Sequence, residues 1–378
     1  DAVVAGVGAE QVAVSAKVAC ALEPDGSVQC WGDVDGRFVD FVPGNASGFV
    51  EVASTFQLGC GRTAAGRVSC WGGLGFDQYL APVDMGLSDV TSIQAAGMMA
   101  CALSSAGNLD CWGRGPFQFD TVSSLVSFDP VRVTGTQARL FAMDGQESSQ
   151  ASLCAVRADE TLVCWGDSMD EAGEEIAIPV GTPPIERLAV ANREGACVVA
   201  GGTVLCVGRG TRNHPGMPDG VVTDALTPVP GITDAVDVAI GQRHICVAHA
   251  TGAVSCWGSD ANDQFGDVGF SAETNVPQPV SGLSGVVEID ARGTGTCARS
   301  GAGEVRCWGD LLSWNRPPSG RIAVGHEVPT HLPGADGATQ VVVTLNGAAA
   351  LVGGTVAGMG RNAEERFGFG RLIPVTLP

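Results

Sequence analysis

Lysine is almost missing from this chain: Lys17 is the only one among 21 basic residues, set against 41 acidic ones and a formal net charge of −20. Such a surface repels phosphate backbones and anionic bilayers, so nucleic acid is not an expected partner. Beyond that, an acidic surface keeps a protein in solution and says little about what it binds. Tyrosine occurs once, and no run approaches the ~20 apolar residues of a membrane-spanning helix. No long stretch carries the helical period, whereas glycine (54) and proline (20) are plentiful. Short strands with many turns suit that composition. There is no C-x-x-C pair of the kind that binds zinc, and no G-x-S-x-G nucleophile turn. A length of 378 residues suggests two or three domains, unless the chain is a repeat array. No signal peptide precedes Asp1, so an exported protein would start here after its cleavage site.

The cysteines show that it is a repeat array. They fall in seven pairs: Cys20 and Cys30, Cys60 and Cys70, Cys101 and Cys111, Cys154 and Cys164, Cys197 and Cys206, Cys246 and Cys256, Cys297 and Cys307. One phrase surrounds them: "CALEPDGSVQCWG" from Cys20, "CGRTAAGRVSCWG" from Cys60, "CVAHATGAVSCWG" from Cys246. A weaker fifth copy, "CVVAGGTVLCVG", starts at Cys197, and an eighth, "AAALVGGTVAGMG", covers 348–360 with Ala348 and Gly358 at the cysteine positions. Each copy reads as a β-hairpin around a glycine turn, where glycine supplies the positive φ that tight turns require. Another strand precedes each hairpin ("VTSIQAAG" 90–97, "VDVAIG" 236–241, "VVEIDARG" 286–293), and before it comes a Pro-Val segment ("PVDMGL" from Pro82, "PVPGI" from Pro228, "PVSGL" from Pro279). Four short strands per 40–53 residues describe a propeller blade, which cannot bury both faces alone.

The repeat resembles that of the regulator of chromosome condensation family, V-A-x-G-x-x-H-x-x-A-L…G-x-V-x-x-W-G-x-N-x-x-G-Q-L-G. The best single match is "VDVAIGQRHICVAHATGAVSCWGSDANDQFG", 236–266. In its cysteines and spacing the chain looks closest to the bacterial extracellular, cysteine-rich branch, which includes a propeller-type inhibitor of β-lactamases. The family usually closes with seven blades. Eight hairpins here imply an all-β propeller of about eight blades, with seven plus a capping hairpin as the alternative. The expected blades are 8–46, 47–86, 87–134, 135–186, 187–231, 232–282, 283–334 and 335–378, with residues 1–7 completing the ring. Both ends carry a candidate outer strand ("VVAGVGAEQVAV" 3–14 and "RLIPVTLP" 371–378), so one terminus is expected to complete the other's blade.

Seven copies have both cysteines and the eighth has neither, so the two positions behave as a unit. Pairing within each hairpin is favoured, although bonds between blades would also use every cysteine. Seven bridges place the protein in an oxidising compartment: extracellular, at the cell surface or in the periplasm. That setting argues against a guanine nucleotide exchange factor despite the repeat.

Several local patterns invite chemistry. "HEVPTH" (326–331) imitates a zinc-protease motif, but its histidines are five apart around Pro329, and a loop between blades seven and eight is the plainer reading. "GMGRNA" from Gly358 imitates a dinucleotide loop but falls at the tryptophan-glycine position of the eighth hairpin. His244 occupies the family's framework histidine position. The loop "DANDQFGD" (260–267) reads as a plain family turn, with calcium on Asp260, Asn262, Asp263 and Asp267 as the alternative; no other cofactor or metal is expected. Trp31, Trp71, Trp112, Trp165, Trp257 and Trp308 recur at one position and suggest packing between blades rather than sugar binding. Trp314, with Arg316 and Arg321, stands outside the repeat and is the leading contact candidate. Loops near 142–151, 209–220 and 311–327 are the expected interaction surface.

No catalytic constellation is apparent. The expectation is a secreted or cell-surface, non-enzymatic binding or structural protein. Its partner would be a protein, a glycan, or its own kind through the terminal strands. The alternative is an extracellular lyase or hydrolase using the central face of the propeller.

Overall fold

The computed structural model describes residues 2–4, 10–15, 18–34, 37–41, 47–55, 58–73, 78–115, 125–133, 135–145, 151–166, 173–191, 195–208, 223–267, 273–311, 325–344 and 347–360. Strands among these residues form eight four-stranded antiparallel sheets. The first seven sheets each use four consecutive strands, as in blade two: Phe49–Ser54, Leu58–Thr63, Val68–Gly73 and Gln78–Asp84. The first strand of every blade packs against the first strand of the next. Ala338–Thr344 of blade eight returns in this way to Gln11–Val14 of blade one. The ring therefore closes at eight blades, not at seven plus a cap. Blade eight takes its fourth strand from the other end of the chain: Ala2–Val4 lies antiparallel to Thr355–Gly360, with Ala2 opposite Gly358 and Val4 opposite Val356. The rival terminal segment, 371–378, lies outside the described residues.

All seven disulfides lie within hairpins, and none joins two blades. Cys20 bonds Cys30, Cys60 bonds Cys70, Cys101 bonds Cys111, and Cys154 bonds Cys164. Cys197 bonds Cys206, Cys246 bonds Cys256, and Cys297 bonds Cys307. Each bridge joins directly opposed residues of the second and third strands, with Cα atoms 4.0–4.1 Å apart. Each closes a loop of about ten residues, which stabilises by roughly 2–3 kcal/mol, chiefly through the unfolded chain. In blade eight the register sets Ala349, not Ala348, opposite Gly358. The expected position was off by one because this hairpin turns on Gly353–Gly354 alone, with Val352 opposite Thr355. Blade five turns equally tightly on Gly201–Gly202, which is why Cys197 and Cys206 are nine apart.

The disulfides also form the sides of the core between blades. Cys20 and Cys30 of blade one pack against Trp71 of blade two, whose indole Nε1 points at Cys30 Sγ from 3.2 Å. The same pairing recurs for Cys60 and Cys70 with Trp112, and for Cys101 and Cys111 with Trp165. It recurs again for Cys197 and Cys206 with Trp257, and for Cys246 and Cys256 with Trp308. Cys297 and Cys307 of blade seven pack instead against Val341, Val343 and Ala348 of blade eight. Where a blade has no disulfide, Trp31 meets Ala349, Leu351 and Val356. Where blade five has no tryptophan, Val207 meets Cys154 and Cys164.

Hairpin turns join each blade to the next. Gly66 (φ +74°) passes its carbonyl to Val90 N, the first residue of blade three, at 3.1 Å, and a Cβ on Gly66 would lie 2.7 Å from that nitrogen. Glycine is needed there for its backbone angle and for the close approach. In blade four the turn carries Glu160 instead (φ +65°), and the Glu160 carboxylate, not a carbonyl, receives the N–H of Ile185 at 3.1 Å.

The innermost strands have a further need, since one edge of each faces no strand of its own sheet. Side chains of the preceding blade meet it. Gln11 accepts Val52 N–H (2.8 Å), Glu51 accepts Ile93 N–H (3.2 Å), Asp237 accepts Ile289 N–H (3.0 Å) and Asp290 accepts Val343 N–H (2.6 Å). Gln94 accepts from Met143 N and donates to Phe141 O. Blade four has Leu140 and Ala142 in the corresponding places, and these pack with Leu188 of blade five. There the outer strands are linked instead, by a parallel bridge between Ala177 and Ala225.

Candidate binding face

The antiparallel order divides the connections between two ends of the ring. Hairpin turns and links between blades leave from one end. The connections from first to second strand, and from third to fourth, leave from the other. All three expected interaction loops belong to this second end, because their flanking strands finish there. Residues 142–145 are not loop but the end of the innermost strand Ala138–Gly145, so the blade-four connection begins only after Gly145. Residues 325–327 likewise open the outer strand Gly325–His331. Trp314, Arg316 and Arg321 lie outside the described residues, as does 209–220.

At the axial mouth of this end, Arg292 reaches from blade seven across to blade four. Its guanidinium lies 3.0 Å from Asp144 Oδ1 and donates to the Gly145 carbonyl. Neither group stands out in the sequence, because 147 residues separate Arg292 from Gly145 and no repeat position pairs them. Nearby, Gln242 N donates to the Gly293 carbonyl at 2.5 Å, tying the mouths of blades six and seven.

The three histidines with described side chains, His244, His249 and His331, have structural partners. His244 is fully buried, with Nε2 2.7 Å from Thr296 Oγ1 of the next blade and Nδ1 3.3 Å from the Gln242 carbonyl. Burial pushes its pKa down to about 4, so the ring is neutral near pH 7. His249 lies between Asp234 (2.6 Å) and Ser255 (2.9 Å). The "HEVPTH" stretch is not a loop: it is the outer strand of blade seven, with His326 opposite Gly309 and His331 opposite Arg306. Proline is tolerated on such an edge. His331 bonds Asp336 at 2.9 Å. Gly358 lies in the strand Thr355–Gly360, within a blade and not before a helix.

The six repeat tryptophans are all buried. Trp308 donates Nε1 to the Gln264 carbonyl at 2.9 Å, while Trp31, Trp112 and Trp257 enclose theirs without a hydrogen-bond partner among the described residues. They serve packing between blades and offer no stacking surface. Among the described residues no three His, Cys, Asp or Glu side chains gather as a metal-binding group, and no helix is long and apolar enough to cross a membrane.

No family model matches the chain, and no curated protein matches it. Solved structures do. Prp20p from Saccharomyces cerevisiae superposes with a TM-score of 0.54 at 16% identity, covering 75% of this chain and 80% of that one. Human WBSCR16 gives 0.58 at 18% identity, covering 77% and 81%. The computationally designed Ika8 protein gives 0.53 at 13% identity, covering 95% and 98%. At such identities the likeness is one of fold. This chain shares the propeller fold of these structures and adds a disulfide within seven of its eight blades.

Proposed function

We propose that this protein is a non-enzymatic binding scaffold of an oxidising, extracellular setting, which engages a protein or glycan through the end of the ring that carries its longest connections. The observation that carries this reading is the contrast between the two ends. One end consists of tight turns locked to the next blade, as Gly66 is to Val90. The other emits the long connections between Gly208 and Thr223 and between Asp310 and Gly325 from a frame held by seven disulfides. Rigid frame and variable loops together are the usual arrangement of a recognition surface.

Further support comes from the chemistry already spent. Arg292 at the axial mouth is neutralised by Asp144, and His244 is buried and neutral, so neither is available to an enzyme of the central face. Prp20p, a structural neighbour, has binding properties toward Gsp1p and histones, which makes a protein partner the first to test. The cysteine-rich bacterial branch suggests an inhibitor of a secreted enzyme, β-lactamase included. Binding of the intact protein to secreted-protein and glycan arrays should be lost in a triple variant carrying Trp314→Ala, Arg316→Ala and Arg321→Ala. Equal binding by that variant removes the loop from the reading, and turnover of a polysaccharide or ester panel replaces the reading with the enzymatic one.

One observation favours a second reading, self-assembly. Ala2–Val4 fills the outer position of blade eight, and 371–378 repeats in sequence the Pro-Val pattern of outer strands. A spare strand can add to a neighbour's sheet edge. Sedimentation of the intact chain should then show concentration-dependent oligomers that disappear when 371–378 is removed; a strict monomer contradicts it.

A further inference from the structure

The connection Ser259–Asp267 in blade six holds Asp260, Asp263 and Asp267. Several partly enclosed acids elsewhere come with arginine: Glu51 with Arg62 (2.5 Å), Asp110 with Arg132 (2.6 Å), Asp144 with Arg292 (3.0 Å) and Glu288 with Arg299, while Asp290 is met by the Val343 N–H. Asp260 and Asp267 form no ion pair with any described residue. Asp260 is only 2% exposed. Its Oδ1 accepts the Phe265 N–H at 2.9 Å, but its Oδ2 is enclosed and has no partner among the described residues; the same holds for Asp267 Oδ1.

Burying ionised carboxylate oxygens without a counter-charge is costly, and the cost rises when like charges share the site. Two chemistries relieve such a pair: a bound hard cation or a shared proton. The loop favours the cation, because every group on offer is a hard oxygen. The loop sequence supplies, besides the carboxylates, backbone carbonyls, the Asn262 amide and the Ser259 hydroxyl.

We infer that Asp260 Oδ2 and Asp267 Oδ1 are two ligands of a calcium ion held in this loop, with loop oxygens and water completing its shell. Calcium accepts six to eight oxygens in irregular geometry, carbonyls and waters included, whereas magnesium demands a near-ideal octahedron. Two carboxylates suit the modest affinity of extracellular modules. The ion also has structural work here. Trp308 Nε1 of blade seven donates to the Gln264 carbonyl (2.9 Å), and Asp310 N donates to the Asn262 carbonyl (3.1 Å). Fixing this loop therefore fastens blade six to blade seven at the end of the ring with the long connections. The inference stands whether or not that end binds a partner.

The test uses the full oxidised chain, stripped with chelator and titrated with calcium chloride, read by thermal melting and by calorimetry. Tm should rise and saturate on the order of 10⁻⁴–10⁻³ M calcium. Asp260→Asn and Asp267→Asn should both lose the response, the first while keeping an oxygen for the Phe265 N–H. If Asp260→Asn fails to fold, Asp267→Asn carries the test. Absence of a Tm shift and of binding heat in the parent overturns the site, and so does an equal response in parent and variants, which marks diffuse counter-ion binding. A parent that ignores calcium but is stabilised by Asp260→Asn assigns the pair to a shared proton. A larger effect from magnesium chloride overturns calcium as the ion.

Discussion

Gln340 of the last blade clasps Val12 of the first: its Oε1 accepts the Val12 N–H at 3.0 Å and its Nε2 donates to the Val12 carbonyl at 3.1 Å. These two bonds join residues 328 apart in sequence and close the ring on its inner side. The same device, a Gln, Glu or Asp capping the free edge of the next innermost strand, works at Gln11, Glu51, Gln94, Asp237 and Asp290. Gln340→Ala should leave both Val12 groups unpaired and cost about 1–3 kcal/mol. Chemical denaturation with the disulfides intact measures it, and an unchanged midpoint contradicts the clasp.

Blade eight can be given the staple it lacks. Ala349 and Gly358 are directly opposed, as Cys20 and Cys30 are in blade one. The double variant with Ala349→Cys and Gly358→Cys should therefore form an eighth disulfide and gain roughly 2–3 kcal/mol. Combining Ala348→Cys with Gly358→Cys should leave two free thiols. Thiol titration of the two variants distinguishes the registers.

Two glycines separate backbone strain from contact between blades. Gly66 and Gly86 both have positive φ (+74° and +69°), but only Gly66 lies against the next blade; Gly86 faces open space. Alanine costs about 1–2 kcal/mol at either site for its backbone angle. Gly66→Ala should cost more than Gly86→Ala, because Val90 must also move. Equal losses in paired urea melts would show that the turn does not bear on its neighbour.

Buried groups give opposed pH effects. The pKa of His244 falls from its ordinary 6.5 to about 4, so its contribution to stability is complete above pH 6.5 and is lost as pH drops toward 4. Asp290, enclosed by burial, rises from 3.8 to about 6, so it costs stability above pH 6 and the cost fades as pH falls toward 4. Asp290→Asn keeps an oxygen for the Val343 N–H. It should stabilise at pH 7.5 by about 1–2 kcal/mol, with the gain gone near pH 4. Melting curves across pH 4–8 check it, and a gain independent of pH contradicts the assignment.

The hairpins are legible in the sequence because Cys, Trp and Gly sit at fixed offsets within each copy, and those offsets encode local pairing. Counting them gives eight hairpins, and the packing of Ala338–Thr344 on Gln11–Val14 decides for eight blades over seven plus a cap. What the sequence hides depends on contacts between distant parts. Polar residues such as Gln94 and Asp290 read as interruptions of an apolar strand, and only the adjoining blade explains them. Arg292 and Asp144 meet across the mouth of the ring. The slip at Ala348 has a local cause, a turn shortened to Gly353–Gly354, which counting back ten residues from Gly358 misses. "HEVPTH" reads as a loop because Pro329 interrupts it, although the outer strand of a blade accommodates proline.

The most direct test of the central claim, an oxidised ring stapled blade by blade, is the intact mass of the native protein with and without alkylation under non-reducing conditions. With all 14 cysteines paired, the mass should lie 14 hydrogens below that of the reduced chain and should not change on alkylation. Non-reducing peptide maps should then pair each cysteine with its hairpin partner, Cys60 with Cys70 and Cys297 with Cys307 among them. Free thiols throughout would contradict both the staples and the oxidising setting, and would return the exchange-factor reading to consideration.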